Sequence, residues 1–164
     1  MISRLMFPWH AMRSVLAILA LCTYAASAHA QSDALNFNAQ GAFLDGYDVV
    51  AYFKRNEAVP GSPKLAIEYR GGRFQFANAK NLATFKADPR RYMPKYGGFC
   101  AFGMANGKAG VPANPKTFKL YNGELLVFYD GPYEGKRFNT SVPWNADERS
   151  LYQKAEAHWK ALGN

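Results

Sequence analysis

The chain has 164 residues, 20 Lys and Arg against 12 Asp and Glu, and a formal charge of +8. With 49% hydrophobic and 15% aromatic residues it is too apolar for a disordered segment, and its length suits one domain. The basic residues are scattered (Lys54, Arg70, Lys86, Lys119, Lys154), which reads as a soluble basic surface, and no nucleic-acid partner is expected.

Residues 1–30 read as a signal peptide. Arg4 and Arg13 form a positive start with no acidic residue before Asp33, Ser14 to Ala26 is apolar, and Ala28-His29-Ala30 is a small-x-small cleavage signal. The apolar run is shorter than the roughly 20 residues of a membrane-spanning helix, so no stable membrane anchor is expected. The expected address is periplasmic or secreted, after cleavage near Ala30. Cys22 leaves with the signal, and Cys100 then has no partner within the chain. The remaining domain must be held by a conventional core.

Residues 31–45 read as a polar N-terminal arm, in which Leu35 and Phe37 alternate like a short edge strand. The domain proper is expected over 46–164. Asp48 is a good N-cap for a short helix over 48–54, and Pro60-Gly61-Ser62-Pro63 is turn chemistry. Leu65, Ile67 and Tyr69 predict a half-buried strand, Gly71-Gly72 a hairpin turn, and Phe74 and Phe76 the returning strand. Asn78 caps a helix over 79–87 that Asp88-Pro89 stops. Residues 99–106 read as a short helix ended by Gly107, with Cys100 in its first turn. Asn122-Gly123 predicts a hairpin between 117–121 and 124–129, after a loop over 111–115. Residues 130–144 read as irregular. Asn145 and Glu148 suggest a capping box before a last helix over 146–162, with Leu151, Tyr152, Ala155, Trp159 and Leu162 at helical spacing. No internal repeat or low-complexity run stands out. The expected fold class is α+β: a small antiparallel sheet built from hairpins, packed with short helices and a longer C-terminal helix.

The candidate chemistry centres on Cys100. A thiolate is a soft ligand for Cu(I) or zinc and a nucleophile, whereas a buried thiol is a small apolar group. All three roles are open from sequence. Met104 lies four residues on, on the same helix face, and is a second soft donor for Cu(I). His158 is the only histidine after residue 30, so a closed zinc site of the Cys/His kind cannot be built within one chain. Asp45 and Asp48 flank Gly46-Tyr47 as a possible hard-metal or acid–base pair that capping and turn roles also explain. No nucleophile elbow, phosphate-binding glycine loop or H-E-x-x-H motif is present.

Phe74-x-Phe76, the helix ending at Phe85 and Asp88-Pro89-x-x-Tyr92 together resemble the YHS domain. With Gly46 to Phe53 ahead and Tyr96-Gly97-Gly98-Phe99-Cys100-Ala101 behind, the chain is similar to exported, stand-alone bacterial YHS-domain proteins. The resemblance runs from about Gly46 to Tyr129. It implies an association with metals through the YHS domains attached to metal-transporting ATPases, whose cysteines match Ala77 and Asn81 here. Val49 stands where a proline is common. The functional expectation is a non-enzymatic binding domain that takes a soft metal ion such as Cu(I) through Cys100, with Met104 and His158 as further ligands. The alternatives are a protein-interaction module with a buried structural cysteine and a thiol redox protein. A metal ion or a protein is the expected partner, and the oligomeric state is left open.

Overall fold

The structure is a computed structural model that describes residues 34–163. The expected signal peptide lies outside the described residues. No helix among them is long and apolar enough to cross a membrane. The fold is α+β, with three two-stranded antiparallel sheets rather than one. Helix α1 (Val49–Arg55) leads to β1 (Ser62–Tyr69) and β2 (Gly72–Phe76), then α2 (Ala79–Ala87). Helix α3 (Ala101–Ala105) leads to β3 (Asn114–Tyr121) and β4 (Glu124–Phe128), then β5 (Asp130–Tyr133) and β6 (Lys136–Asn139). Helices α4 (Ser141–Ala146) and α5 (Glu148–Ala161) close the chain.

Each hairpin turns on a residue followed by glycine, both at positive φ: Arg70-Gly71 (48° and 83°), Asn122-Gly123 (52° and 77°) and Glu134-Gly135 (49° and 76°). This geometry matches the twist of paired strands. The first turn therefore sits one residue earlier than Gly71-Gly72 suggests, and Gly72 opens β2 opposite Tyr69. Residues 130–144 are not irregular. The Glu134-Gly135 turn builds a hairpin there, and Pro143 fits the first turn of α4, where its missing N–H is not needed. Two predicted loops are shortened, because β1 starts at Ser62 and β3 at Asn114; both strands bulge after their first pair. The predicted edge strand is only a single bridge between Phe37 and Phe43. Asn145 caps nothing. Its side chain accepts from Lys119 Nζ, and α5 follows Asp147 without a side-chain cap.

The structure also reveals an internal duplication. Cys100 stands 52 positions after Asp48 (100 − 48), and every β1–β2 pairing reappears in β3–β4 at that offset. Ser62 opposite Phe76 becomes Asn114 opposite Phe128, and Tyr69 opposite Gly72 becomes Tyr121 opposite Glu124. Asp48 N–H donates to the Val59 carbonyl and Cys100 N–H to that of Val111, both at 2.9 Å. Leu44-Asp45-Gly46 run through φ of 46°, 52° and 79°, and Tyr96-Gly97-Gly98 through 56°, 65° and 80°. The identities are Gly46, Val59-Pro60, Pro63-Lys64, Tyr69, Gly71 and Phe76 with their counterparts at the same offset. They are too scattered to stand out by eye.

The copies differ in what their second strand faces. In β2 only Phe74 and Phe76 join the core, whereas β4 is buried on both faces. Leu125 and Val127 belong to one apolar cluster, with Phe43, Tyr52, Phe74 and Phe85. Leu126 and Phe128 belong to the other, with Tyr96, Met104, Trp144 and Ala155. Strand β4 is the partition between the two clusters.

The segment 34–44 is part of this fold. Phe43 and Leu44 are core residues, and Asn36 bonds through its backbone and side chain to the carbonyls of Gly97 and Gly98, at 2.9 Å each.

Candidate functional site

Asp48 and Cys100 hold the same position in the two copies, the N-cap of a short helix, and are furnished differently. Asp48 is fully buried. Its Oδ1 accepts from Val50 N–H (2.9 Å) and Ala51 N–H (3.3 Å), and its Oδ2 from Ala77 N–H (2.9 Å) and Asn81 Nδ2 (2.6 Å). The carboxylate staples α1 to the start of α2 and has no capacity left for a ligand. Asp45 is exposed at φ 52° and makes no pair with it. The turn-and-cap reading of these two aspartates is the one the geometry supports.

Cys100 is 1% exposed, and its Sγ caps α3 by accepting from Gly103 N–H at 3.4 Å. Thr140 Oγ1 lies 3.3 Å from the sulfur and donates its own proton to the Tyr129 carbonyl at 2.9 Å. With the hydroxyl proton committed, the thiol is the donor of the Cys100–Thr140 contact. In the first copy β2 runs straight into α2, which covers Asp48. In the second, β4 runs into the β5–β6 hairpin, and Thr140 at its end contacts the sulfur. A cavity of about 550 Å³ is left, lined by Cys100, Phe102, Gly103, Asn106, Lys108, Val111, Tyr129, Tyr133, Phe138 and Thr140. Phe138 meets Phe102 edge-on at 6.3 Å between centroids and packs against Tyr133 at 5.8 Å. The hairpin thus supplies an aromatic wall. It is pinned at its base by Arg137, whose Nε and one terminal nitrogen each donate to Asp130 at 2.7 Å. Those bonds, with a further one from Thr117, hold the Asp130 carboxyl below the ordinary range against the opposing effect of burial.

The other residues singled out from sequence do not line this cavity. Met104 is buried in the second apolar cluster. His158 sits near Gly107, with Nδ1 3.0 Å from the Met104 carbonyl, so it meets Met104 through the backbone. Among the described residues no three His, Cys, Asp or Glu side chains gather into a ligand set. Sequence reasoning misses Thr140 and the hairpin aromatics because residues 130–144 read as irregular; the signal that finds them is the Glu134-Gly135 turn.

A second opening, about 800 Å³, runs along Arg70, Arg90, Arg91, Met93 and Trp159. Its inner wall is a satisfied network. Lys95 Nζ pairs with Glu156 (2.9 Å) and Glu124 (3.4 Å), Tyr96 Oη donates to Glu156 (2.9 Å), and Tyr152 Oη donates to Glu124. Burial first, then these carboxylates, push the Tyr96 and Tyr152 phenols above their ordinary value. Tyr152 ties α5 to β4, and Tyr96 ties α5 to the turn ahead of Cys100. No family model, curated protein or solved structure matches this chain.

Proposed function

We propose that this chain is an exported, YHS-like binding domain, not an enzyme, whose site is the cavity over Cys100 and whose ligand is a small, largely apolar molecule. The observation that carries the reading is the contrast between the two N-caps. One is closed by four hydrogen bonds, and its counterpart opens on an aromatic-walled cavity of about 550 Å³, within the range of small-molecule sites. The thiol proton goes to Thr140 and the sulfur accepts from Gly103, so Cys100 and Thr140 form a self-satisfied floor beneath the cavity. That arrangement speaks for recognition rather than thiol chemistry.

The test is a titration of reduced, isotope-labelled protein (residues 31–164) with small aromatic and branched fragments, read by amide and methyl shifts. Saturable shifts confined to Phe102, Val111, Tyr133, Phe138 and Thr140 are expected. Shifts elsewhere, or none at millimolar fragment, would overturn the reading.

One observation favours a second reading, in which a soft metal such as Cu(I) binds. The Cys100 sulfur is a soft donor facing a space large enough for a second ligand from outside the chain. In this reading Met104 and His158 are not co-ligands. Competition with a chromophoric Cu(I) chelator decides it, since equal affinity in wild type and Cys100→Ser removes the metal.

A further inference from the structure

If the cavity over Cys100 is a binding site, as proposed above, its lining also restricts the chemical class of the ligand. Ten residues line the cavity, and one of them, Lys108, is charged at neutral pH; no carboxylate is among them. Lys108 is exposed and makes no ion pair or side-chain hydrogen bond among the described residues; Glu134 and Lys136, in the turn of the hairpin, do not line the cavity, and Arg137 is paired with Asp130. The floor asks for no charge, because thiol and hydroxyl satisfy each other and the Tyr129 carbonyl. The walls are Phe102, Val111, Tyr133 and Phe138.

We infer that the ligand is an amphipathic monoanion: a flat apolar body laid against the Phe102, Tyr133 and Phe138 wall, and one carboxylate at the mouth on the Lys108 ammonium. An apolar body gains from leaving water, and the single unneutralised cation selects among otherwise similar bodies for the one carrying a negative charge. A dianion is disfavoured because only one cation lines the cavity. A cation is disfavoured by Lys108 itself.

The experiment uses ω-phenylalkanoates of two to six carbons and their neutral amides, titrated into wild type, Lys108→Met and Phe138→Ala. Lys108 is exposed, so its variant is expected to fold. The inference expects one chain length at which the acid binds wild type about two- to fivefold tighter than its amide, the scale of a solvent-accessible ion pair. That gap should close in Lys108→Met and narrow with added salt, while Phe138→Ala weakens acid and amide together. Equal binding of acid and amide, both weakened by Phe138→Ala, overturns the monoanion and leaves the cavity reading standing. No binding of any member at millimolar concentration overturns both.

Discussion

Removing the Asp48 carboxylate is the sharpest test of how the first half of the molecule is held. Asp48→Ala deletes the acceptor for four donors, all at or inside the junction of α1 with β2 and α2. Loss of the N-cap over Val50 and Ala51 costs about 1 kcal/mol. The Ala77 N–H and the buried Asn81 amide are then left without their acceptor, at about 1–2 kcal/mol each. The sum is about 3–5 kcal/mol, a large share of the roughly 5–15 kcal/mol that holds a domain together. For a domain of this size it corresponds to a fall in Tm of about 10–20 °C. Asp48→Asn should fall between the two. Its remaining oxygen keeps the cap, and Asn81 can turn its amide round to meet the new NH2, but the Ala77 N–H cannot adapt. Urea and thermal unfolding followed by circular dichroism give both numbers. If Asp48→Ala lies within about 1 kcal/mol of wild type, the four-bond staple is not what closes this N-cap.

Three other perturbations probe the rest of the molecule. Gly97→Ala places a Cβ 2.2 Å from the Ala34 carbonyl at a φ of 65°, so the arm should lift, and limited proteolysis should cut within 34–41 faster than in wild type. The Asp130 carboxyl has a lowered value in the fold; its contribution is fully present above the unfolded value, about 4, and is lost as pH falls through the folded one. The protection factors of the β5–β6 amides should therefore fall selectively in acid, and Asp130→Asn should reproduce the fall at neutral pH; unchanged protection in both would show that the Arg137 pair does not pin the hairpin. Cys100, at 1% exposure, should react with iodoacetamide slowly in the native state and completely in denaturant. Fast native alkylation would instead favour the redox reading.

The α+β class, eight elements near their places and both N-caps of the first half are legible in the sequence because they rest on local signals. Asp48 and Asn78 are short acceptors ahead of apolar turns, and Asn122-Gly123 is an unambiguous hairpin pair. Phe74 and Phe76 alternate, as a half-buried strand must. What escapes is either an unfavoured use of a residue or a long-range arrangement. Glu134 and Arg70 occupy positive φ where asparagine is the expected occupant, which hides one turn and shifts another. Cys100 stands out as the central residue, but its Thr140 contact spans 40 positions and depends on the hidden hairpin. Met104 is a candidate ligand on helical spacing alone, and spacing cannot say which of two apolar faces a three-dimensional core will claim. The duplication is invisible because backbone register, not side-chain identity, carries it.

That shared register bears on how this chain can fail. Two hairpins of equal length, with equal bulges and equal turns, present interchangeable backbones, so once a turn has opened, strand exchange between halves, or between two molecules, keeps the register. Discrimination falls to side chains. Strand β4 offers Leu125 to Phe128 to both apolar clusters, while β2 offers Arg73 and Gln75 on its other face. During refolding at high concentration, β1 of one molecule can therefore pair with β4 of another in the same register as β3 does. A dimer made this way would hold native-like hairpins and an intact helical content. Polar substitutions in β4 should increase such trapped species by erasing the difference that tells the halves apart.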